Sequence, residues 1–357
     1  MRAPAGTSLA RALARGALGL LASACLLGAA GGCGFGTDDA SGGDSEPATE
    51  GITLYSGRIQ AAIGPAIDSY EAEADRDVQA RYAASADLAA TLVEEGSASP
   101  ADVFFGQEAP SLGALTERGL LMELPDDILE RVPPEYRDPG GRWVGVTGRS
   151  RIIGYNADAV ERSELPDSPL ELTGPEWKGR VGWAPATGSL QEYVTAVRLE
   201  YGEETGREWL EGMVANDAVP YPNHVAMRDA IASGEIDVGL LNHYYVAQAI
   251  AEQGPDYPVR IHFPPEGLGS LLLVTGVGVQ ESSDRKEEAL DFVRSLLSKE
   301  SQQFFTESSK EYPLVEGVEP DPVLDTPLDE VPAPRADITD LEELQHSIEL
   351  MQDTGAL

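Results

Sequence analysis

The chain has 357 residues, 42% of them hydrophobic, and a net charge of −36 from 61 acidic and 25 basic residues. A chain this long and apolar can form two lobes of ordinary size, and its negative field argues against binding to nucleic acid or to an anionic membrane surface. Both cysteines, Cys25 and Cys33, lie in the first 33 residues, which excludes a cysteine metal site, a thiol nucleophile and a disulfide framework in the folded body.

Residues 1–33 have the pattern of a bacterial export signal. A basic start precedes an apolar stretch at residues 16–30 that is too short to span a membrane as a mature helix. The stretch ends Leu-Leu-Gly-Ala-Ala-Gly-Gly-Cys33, which resembles the lipobox of bacterial lipoproteins. We therefore predict lipidation at Cys33 and anchoring on the extracytoplasmic face of the cell membrane. Cys25 is a weaker second candidate, and plain secretion is the alternative. Residues 34–51, rich in Gly, Ser and acidic residues, are predicted to be a flexible tether.

The body alternates predicted strands and helices from residue 52 onward. The predicted strands are residues 52–56, 78–82, 103–105, 181–183, 236–241 and 271–279. The predicted helices are residues 58–74, 87–95, 111–118, 190–201, 203–212, 225–231, 284–297, one from Tyr244 onward and a last one around 341–351. This alternation predicts parallel sheets in right-handed βαβ units, with ligand sites beyond the carboxyl ends of the strands.

An apolar run with glycines at residues 143–155 predicts a crossover from one lobe to another. We therefore predict an α/β fold of two lobes joined by hinge crossovers, with a ligand cleft between them. The first lobe is predicted to comprise residues 52–149 and 275–325, and the second residues 150–274 and 326–357.

The most informative stretch is residues 236–248, which changes from a buried strand to a helix at Asn242, a preferred N-cap residue. Tyr244 and Tyr245 then lie in the first helical turn, where neighbouring side chains are only about 100° apart, so both phenol oxygens can approach one point. A free tyrosine titrates near about pH 10, so ionised tyrosines at neutral pH require a highly charged cation nearby. The alternative is that the two rings only pack, one in the core and one at the surface.

Three predicted helix starts in the second lobe carry residues of the capping type. They are Thr187-Gly188-Ser189, Asn223 and Asn242. Helix N-termini in open α/β sheets can bind anions, although caps are common without any ligand. A hard trivalent cation held by phenolates and neutralised further by a small anion would use both the caps and the tyrosines. The four histidines are scattered, and His243 beside the tyrosines fits a supporting or surface role better than ligation.

The run Gly-Leu-Leu-Asn-His-Tyr-Tyr at residues 239–245, with Pro-Ala-Thr-Gly-Ser at residues 185–189, resembles the bacterial ferric-ion-binding proteins of ABC transporters. The resemblance extends from about residue 52 to the end of the chain. It implies two α/β lobes that close on Fe(III), with Tyr244 and Tyr245 as metal ligands and with phosphate or carbonate as a synergistic anion. The positions that match the anion site are Thr187, Gly188, Ser189, Asn223 and Asn242.

The chain departs from this family at two expected metal ligands. Ile59 stands where members with a full ligand set have a histidine, and Gln107, with Glu108 beside it, stands where they have a glutamate. Glu108 or Gln107 is the candidate substitute, with the anion and water as further ligands. Arg58 and Arg149 are candidate anion-binding residues, and surface solvation or hinge salt bridges are the alternative for both.

The expected function is that of a monomeric, lipid-anchored solute-binding protein that captures Fe(III) and hands it to an ABC permease without chemistry on the ligand. The missing ligands keep open a second function, the same scaffold binding an organic solute such as a phosphonate or a polyamine. A secreted hydrolase is a remote alternative, because the body shows no GxSxG motif, no cysteine and no recognisable triad spacing.

Overall fold

The computed structural model of the protein describes residues 51–332 and 339–357. The predicted export signal, Cys33 and all of the predicted tether except Gly51 lie outside these residues. None of the helices in the two described ranges is long and apolar enough to cross a membrane.

The strands and helices follow the predicted alternation closely. The strands are β1 Ile52–Ser56, β2 Val78–Tyr82, β3 Val103–Gly106, β4 Val144–Asn156, β5 Val181–Trp183, β6 Val219–Pro220, β7 Val238–Asn242, β8 Val259–His262, β9 Leu272–Val279 and β10 Tyr312–Pro313. The helices are α1 Gln60–Ala74, α2 Ser85–Glu95, α3 Ala109–Glu117, α4 Asp126–Leu129, α5 Gly188–Tyr201, α6 Glu203–Ala215, α7 His224–Ser233, α8 His243–Gln253, α9 Lys286–Leu296, α10 Lys299–Ser309 and α11 Leu341–Asp353. The sequence analysis did not predict α10.

The sheet is mixed, and the prediction of parallel sheets was wrong for its centre. In the described residues the order is β2-β1-β3-β9-β4-β7-β5-β6, with β8 and β10 also pairing with β4. Strand β1 runs parallel to β2 and β3, and β5 runs parallel to β6 and β7. Strands β4 and β9 pair antiparallel with each other and with their other neighbours. The reason is that β4 leaves the first group of strands and β9 returns to it, so the two must run in opposite directions.

Strand β4 is the predicted crossover, and all thirteen of its residues are buried. Its first part pairs with β9, as far as Ser150 opposite Leu272. Its second part pairs with β7, beginning with Arg151 opposite Asn242. One continuous strand therefore carries the backbone pairing of both groups, and the change between them falls at Ser150 and Arg151.

The apolar core is divided in the same way. One cluster joins β1, β3, β9 and the first part of β4 to α1, α9 and α10. A second joins β5, β7 and the second part of β4 to α5, α6 and α11, and a third lies between β4, α7 and α8. The exact limits of the two lobes stay a prediction.

Helix α11 packs on α5 and α6 and also contacts α3. Leu350 is buried in the same apolar cluster as α5 and α6. Arg198 of α5 donates hydrogen bonds to the Glu343 carbonyl oxygen at 2.9 Å and to Ser347 Oγ at 2.8 Å. The C-terminal helix is therefore held by both apolar and polar contacts.

The contact between α3 and the start of α11 depends on Gly113. A Cβ at this position would lie 2.2 Å from the backbone oxygen of Thr339. We expect Gly113→Ala to lower the free energy of unfolding by about 1–3 kcal/mol, because backbone must move to admit the methyl group. Urea unfolding checks this, with Glu117→Ala at the exposed end of the same helix as a control that should change stability by less than about 0.5 kcal/mol. Equal effects of the two substitutions would contradict the contact.

Candidate functional site

Tyr244 and Tyr245 are the second and third residues of α8, directly after β7 ends at Asn242. Their ring centroids lie 4.2 Å apart and their planes are inclined by 31°. Both side chains are half-buried. The structure therefore brings the two rings together at one surface, and neither ring is sealed in the core.

Both tyrosines line a cavity of about 370 Å³. The residues around it come from both predicted lobes and include Arg58, Ile59, Gln107, Arg149, Tyr244, Tyr245, Gln248 and Glu311. The tyrosine pair and the segments after β1 and β3 therefore line the same cavity.

The phenol of Tyr244 is protonated at neutral pH when no metal is bound to it. Burial raises its pKa well above the ordinary value, and the neighbouring Tyr245 and Glu311 act in the same direction. The guanidinium of Arg149 opposes this shift without reversing it. A ligand that binds the phenolate must therefore supply enough positive charge to displace the proton.

Arg58 and Glu311 form a buried salt bridge beside the tyrosines. Arg58 Nη1 lies 2.9 Å from Glu311 Oε1, and Thr147 Oγ1 donates to Glu311 Oε2 at 2.5 Å. Burial alone would raise the pKa of Glu311, but Arg58, Arg149 and the hydrogen bonds hold it below its ordinary value. The charge of Arg58 is therefore compensated, as the salt-bridge alternative supposed, and its role in binding an anion stays a prediction.

Two further guanidiniums, those of Arg149 and Arg151, are buried on β4. Arg149 is 3% exposed and donates to the backbone oxygen of Gln107, while its Nε is buried and has no partner among the described residues. Arg151 Nη1 donates to Ser189 Oγ at 3.3 Å and to Asn242 Oδ1 at 3.1 Å. Burial lowers the pKa of Arg151 to about 10, so it still carries its charge at neutral pH. The sequence analysis named Arg149 and missed Arg151.

Glu192 of α5 lies near these guanidiniums but pairs with neither. It is 1% exposed, and both carboxyl oxygens are buried without a hydrogen-bond partner in the described part of the chain. Burial raises its pKa to about 8, although Arg149 and Arg151 act in the opposite direction. Glu192 is therefore mostly protonated at neutral pH, and it leaves the positive charge of the two guanidiniums uncompensated.

The predicted capping residues differ in what they offer a ligand. Asn223 caps α7, because its Oδ1 accepts a hydrogen bond from the backbone N–H of Ala226 at 2.9 Å. Asn242 stands at the N-cap position of α8 but does not cap the helix with its side chain, which accepts from Arg151. The polar side-chain acceptors of both residues are thus used within the protein.

Helix α5 begins at Gly188, two residues before the predicted start. Thr187 Oγ1 donates to the carbonyl oxygen of Ala184 at 2.7 Å, so its hydroxyl hydrogen is already used. The backbone N–H groups of Gly188 and Ser189 belong to the first turn, where no helical carbonyl is available to them. Of this predicted anion segment, Gly188 and Ser189 offer donors at the helix N-terminus.

Two histidines support the tyrosines: His243, for which the sequence analysis favoured a supporting or surface role, and His224, which it did not assign to the site. His243 Nδ1 accepts from the backbone N–H of Ser150 at 3.0 Å, and its Nε2 lies 2.9 Å from the Lys310 oxygen. Burial lowers the pKa of His243 to about 4, so the ring is neutral. His224 stacks on Tyr245, with the ring centroids 4.9 Å apart and the planes 2° from parallel. No spacing in the sequence links these residues to their partners.

The segment after β3 supplies the candidate substitute ligands. Gln107 Nε2 donates to Glu108 Oε1 at 3.0 Å, and both side chains are half-buried. Ile59 is 71% exposed and lines the same cavity, so an apolar side chain occupies the expected histidine position. Within the described ranges, no group of three or more His, Cys, Asp or Glu side chains is arranged to hold a metal ion.

Known proteins are similar to this chain in sequence and fold. The chain is 32% identical over 313 residues to the major ferric iron-binding protein of Neisseria meningitidis serogroup A, covering 87% of this chain and 94% of the relative. Iron-bound HitA from Pseudomonas aeruginosa matches with 34% identity and a TM-score of 0.76, over 85% of this chain and 99% of HitA. A Trichodesmium protein, IdiA (FutA), in complex with iron and citrate ligands, matches with 29% identity and a TM-score of 0.72, over 85% of this chain and 99% of its own.

These neighbours have the two-lobed α/β fold of periplasmic binding proteins, which is the predicted fold class. Residues 98–335 match the family described as bacterial extracellular solute-binding protein. The chain therefore belongs to the family of bacterial extracellular solute-binding proteins.

Proposed function

We propose that the protein captures Fe(III) with a small synergistic anion outside the cytoplasm and delivers it to an ABC permease. The observation that carries this proposal is the paired tyrosines, whose rings lie side by side at a helix start and line one cavity. The names of the relatives support iron as the solute, since they are described as ferric iron-binding or iron-bound proteins.

Tyr244 and Tyr245 are the proposed metal ligands. Phenolate oxygens are hard ligands and favour a hard, highly charged cation. The raised pKa of Tyr244 means that the metal must displace a proton as it binds. Binding therefore releases protons, and acid weakens it.

The proposed anion, phosphate or carbonate, lies near the N-terminus of α5. Gly188 and Ser189 supply donors there, and Arg149 and Arg151 supply positive charge that Glu192 does not neutralise. A helix N-terminus next to unpaired guanidiniums favours an anion. Thr187, Asn223 and Asn242 remain proposed members of this site through their backbone or remaining polar groups.

The coordination from the first lobe is completed by Glu108 or Gln107, or by the anion and water alone. Glu108 is the better candidate because its carboxylate is a harder ligand than an amide oxygen. Ile59 contributes no ligand atom.

Transport then proceeds by capture and release, without enzymatic chemistry on the solute. Residues 52–149 with 275–325 form one proposed lobe and residues 150–274 with 326–357 the other. Ligands contributed by both lobes favour the closed form, which the permease recognises. We further propose that the protein is a monomer held on the extracytoplasmic face of the membrane by a lipid on Cys33.

One observation favours a second candidate, an organic solute such as a phosphonate or a polyamine. The cavity wall carries the apolar Ile59 and the neutral Gln107 where metal ligands were expected. A thermal-shift screen separates the two functions: an organic compound that raises the melting temperature in the absence of metal would favour the second.

The iron proposal predicts a visible phenolate-to-iron charge-transfer band when ferric salt and phosphate or carbonate are added to the purified protein. The double variant Tyr244→Phe/Tyr245→Phe should stay colourless. Each single variant should bind iron at least about tenfold more weakly. Mutation of a residue that only orients a metal ligand typically weakens metal binding by about this factor, and removal of the ligand itself should weaken it at least as much. Tyr201→Phe, at a tyrosine 43% exposed on α5, is the control that should keep the band. A wild-type protein that stays colourless and shows no iron-induced thermal shift would refute the proposal.

The neutral state of Glu192 makes a separate prediction about stability and pH. The pKa of Glu192 is about 8 in the folded protein, against an ordinary value of 4.5. Between these values the unfolded chain loses the proton while the folded protein keeps it, so this group lowers stability as pH rises and its penalty levels off above pH 8.

Glu192→Gln cannot ionise and should remove this decline. The variant should gain on the order of 1–3 kcal/mol relative to wild type between pH 4.5 and pH 8. Urea unfolding over this pH range measures the difference, and Glu200→Gln at an exposed position of the same helix is the control. Parallel stability curves for wild type and Glu192→Gln would show that Glu192 is ionised in the folded protein.

A further inference from the structure

His224 lies between the proposed anion site and the proposed metal ligands. It is the first residue of α7 and is buried. One face of its ring stacks on Tyr245, and its Nε2 lies 3.0 Å from Ser189 Oγ. A single side chain thus contacts a residue of each proposed group.

The surroundings of His224 fix the direction of its hydrogen bond to Ser189. Its other ring nitrogen, Nδ1, is buried and has no partner among the described residues. A proton on Nδ1 would leave a buried N–H donor unpaired, which is costly, whereas a proton on Nε2 is paired with Ser189 Oγ. The Nε2–H of His224 therefore donates and Ser189 Oγ accepts.

Ser189 Oγ also accepts from a second donor, Arg151 Nη1, at 3.3 Å. A hydroxyl oxygen has two lone pairs and one hydrogen, so both acceptor positions of Ser189 are filled. Its hydrogen must point in the remaining direction. Ser189 is half-buried in the first turn of α5, where the backbone N–H groups also lack helical carbonyl partners.

We propose that His224 is a positioning residue that restricts the Ser189 hydroxyl to donating, so that the anion site requires an acceptor oxygen such as that of an ionised oxyanion. The inference rests on the proposed function in placing an anion at the start of α5, and it concerns the anion and not the metal. The stacking of the His224 ring on Tyr245 holds the ring in the plane that its hydrogen bond to Ser189 needs.

The test is calorimetric titration of the metal-free protein with inorganic phosphate. His224→Phe keeps a ring that can stack on Tyr245 but removes the Nε2 donor, and it should weaken phosphate binding about tenfold, because the Ser189 hydroxyl is then no longer restricted to donating to the anion. His224→Gln can place an amide N–H near Ser189 and should bind phosphate within about threefold of wild type, a smaller loss than the donor-free variant.

A double-mutant cycle shows whether His224 acts through Ser189. Ser189→Ala should weaken phosphate binding, and adding His224→Phe to it should cause little further loss. Any of three results would overturn the inference. His224→Phe could weaken phosphate binding equally with and without Ser189, it could leave phosphate binding unchanged, or the metal-free wild type could bind no phosphate. Far-UV circular dichroism confirms that each variant is folded.

The iron proposal and this inference can fail separately. If the wild type shows no charge-transfer band but the variants give the expected cycle with phosphate, the iron proposal fails and the role of His224 stands. If the wild type forms the band but the two substitutions give additive losses of phosphate affinity, the iron proposal stands and the role of His224 fails.

Discussion

The site depends on one backbone constraint, the change of pairing partner along β4. Ser150 is the last residue that pairs with β9, and Arg151 is the first that pairs with β7, opposite Asn242. Because β7 ends at Asn242, this register fixes where α8 begins and hence where the two tyrosines stand. It also places Arg149 and Arg151 at the junction of the two groups of strands, with both guanidiniums buried. The same strand therefore positions the cationic groups and, through its neighbour, the phenols.

Burial at this junction gives the protein a local charge opposite to its overall charge. The whole chain carries −36, a field that attracts cations from a distance. Near the cavity, Arg58 is neutralised by Glu311, Glu192 keeps its proton, and Arg149 and Arg151 remain uncompensated by a salt bridge. Under the proposed function the overall negative charge and the local positive charge act on different ligands. The long-range field raises the local concentration of metal, and the buried guanidiniums hold the anion that completes its coordination.

The sequence predicted those features of the site that local pattern determines. The change from strand to helix at Asn242 is visible in the spacing of apolar residues, so the position of the tyrosines in the first turn could be inferred. The partner of Asn242 could not, because Arg151 lies 91 residues away and only the sheet register brings them together. The same holds for Arg58, whose partner Glu311 is 253 residues distant.

Helix α10 and the sheet directions were missed for related reasons. The buried face of α10 includes Gln302, whose amide donates to the carbonyl oxygens of Val146 and Leu296, so the apolar periodicity that signals a helix is broken. The inference of parallel sheets assumed that every helix connects strands of one sheet. It fails where β4 and β9 pass between two groups of strands: the crossover along β4 was predicted from its sequence, but the antiparallel pairing of β4 with β9 follows from the tertiary connection.

The protonated state of Tyr244 bears on selectivity under the proposed function. A cation that uses this phenol must offset both its own loss of hydration and the removal of a proton whose pKa burial has raised. A singly or doubly charged ion gains less from two phenolates than a trivalent one, because the attraction grows with the charge of the ion. The proton on Tyr244 therefore acts as a competitor that weakly charged ions displace poorly. The burial that keeps the Tyr244 phenol neutral thus favours a trivalent ion, and protonation of the same phenol promotes release because it weakens the metal bond.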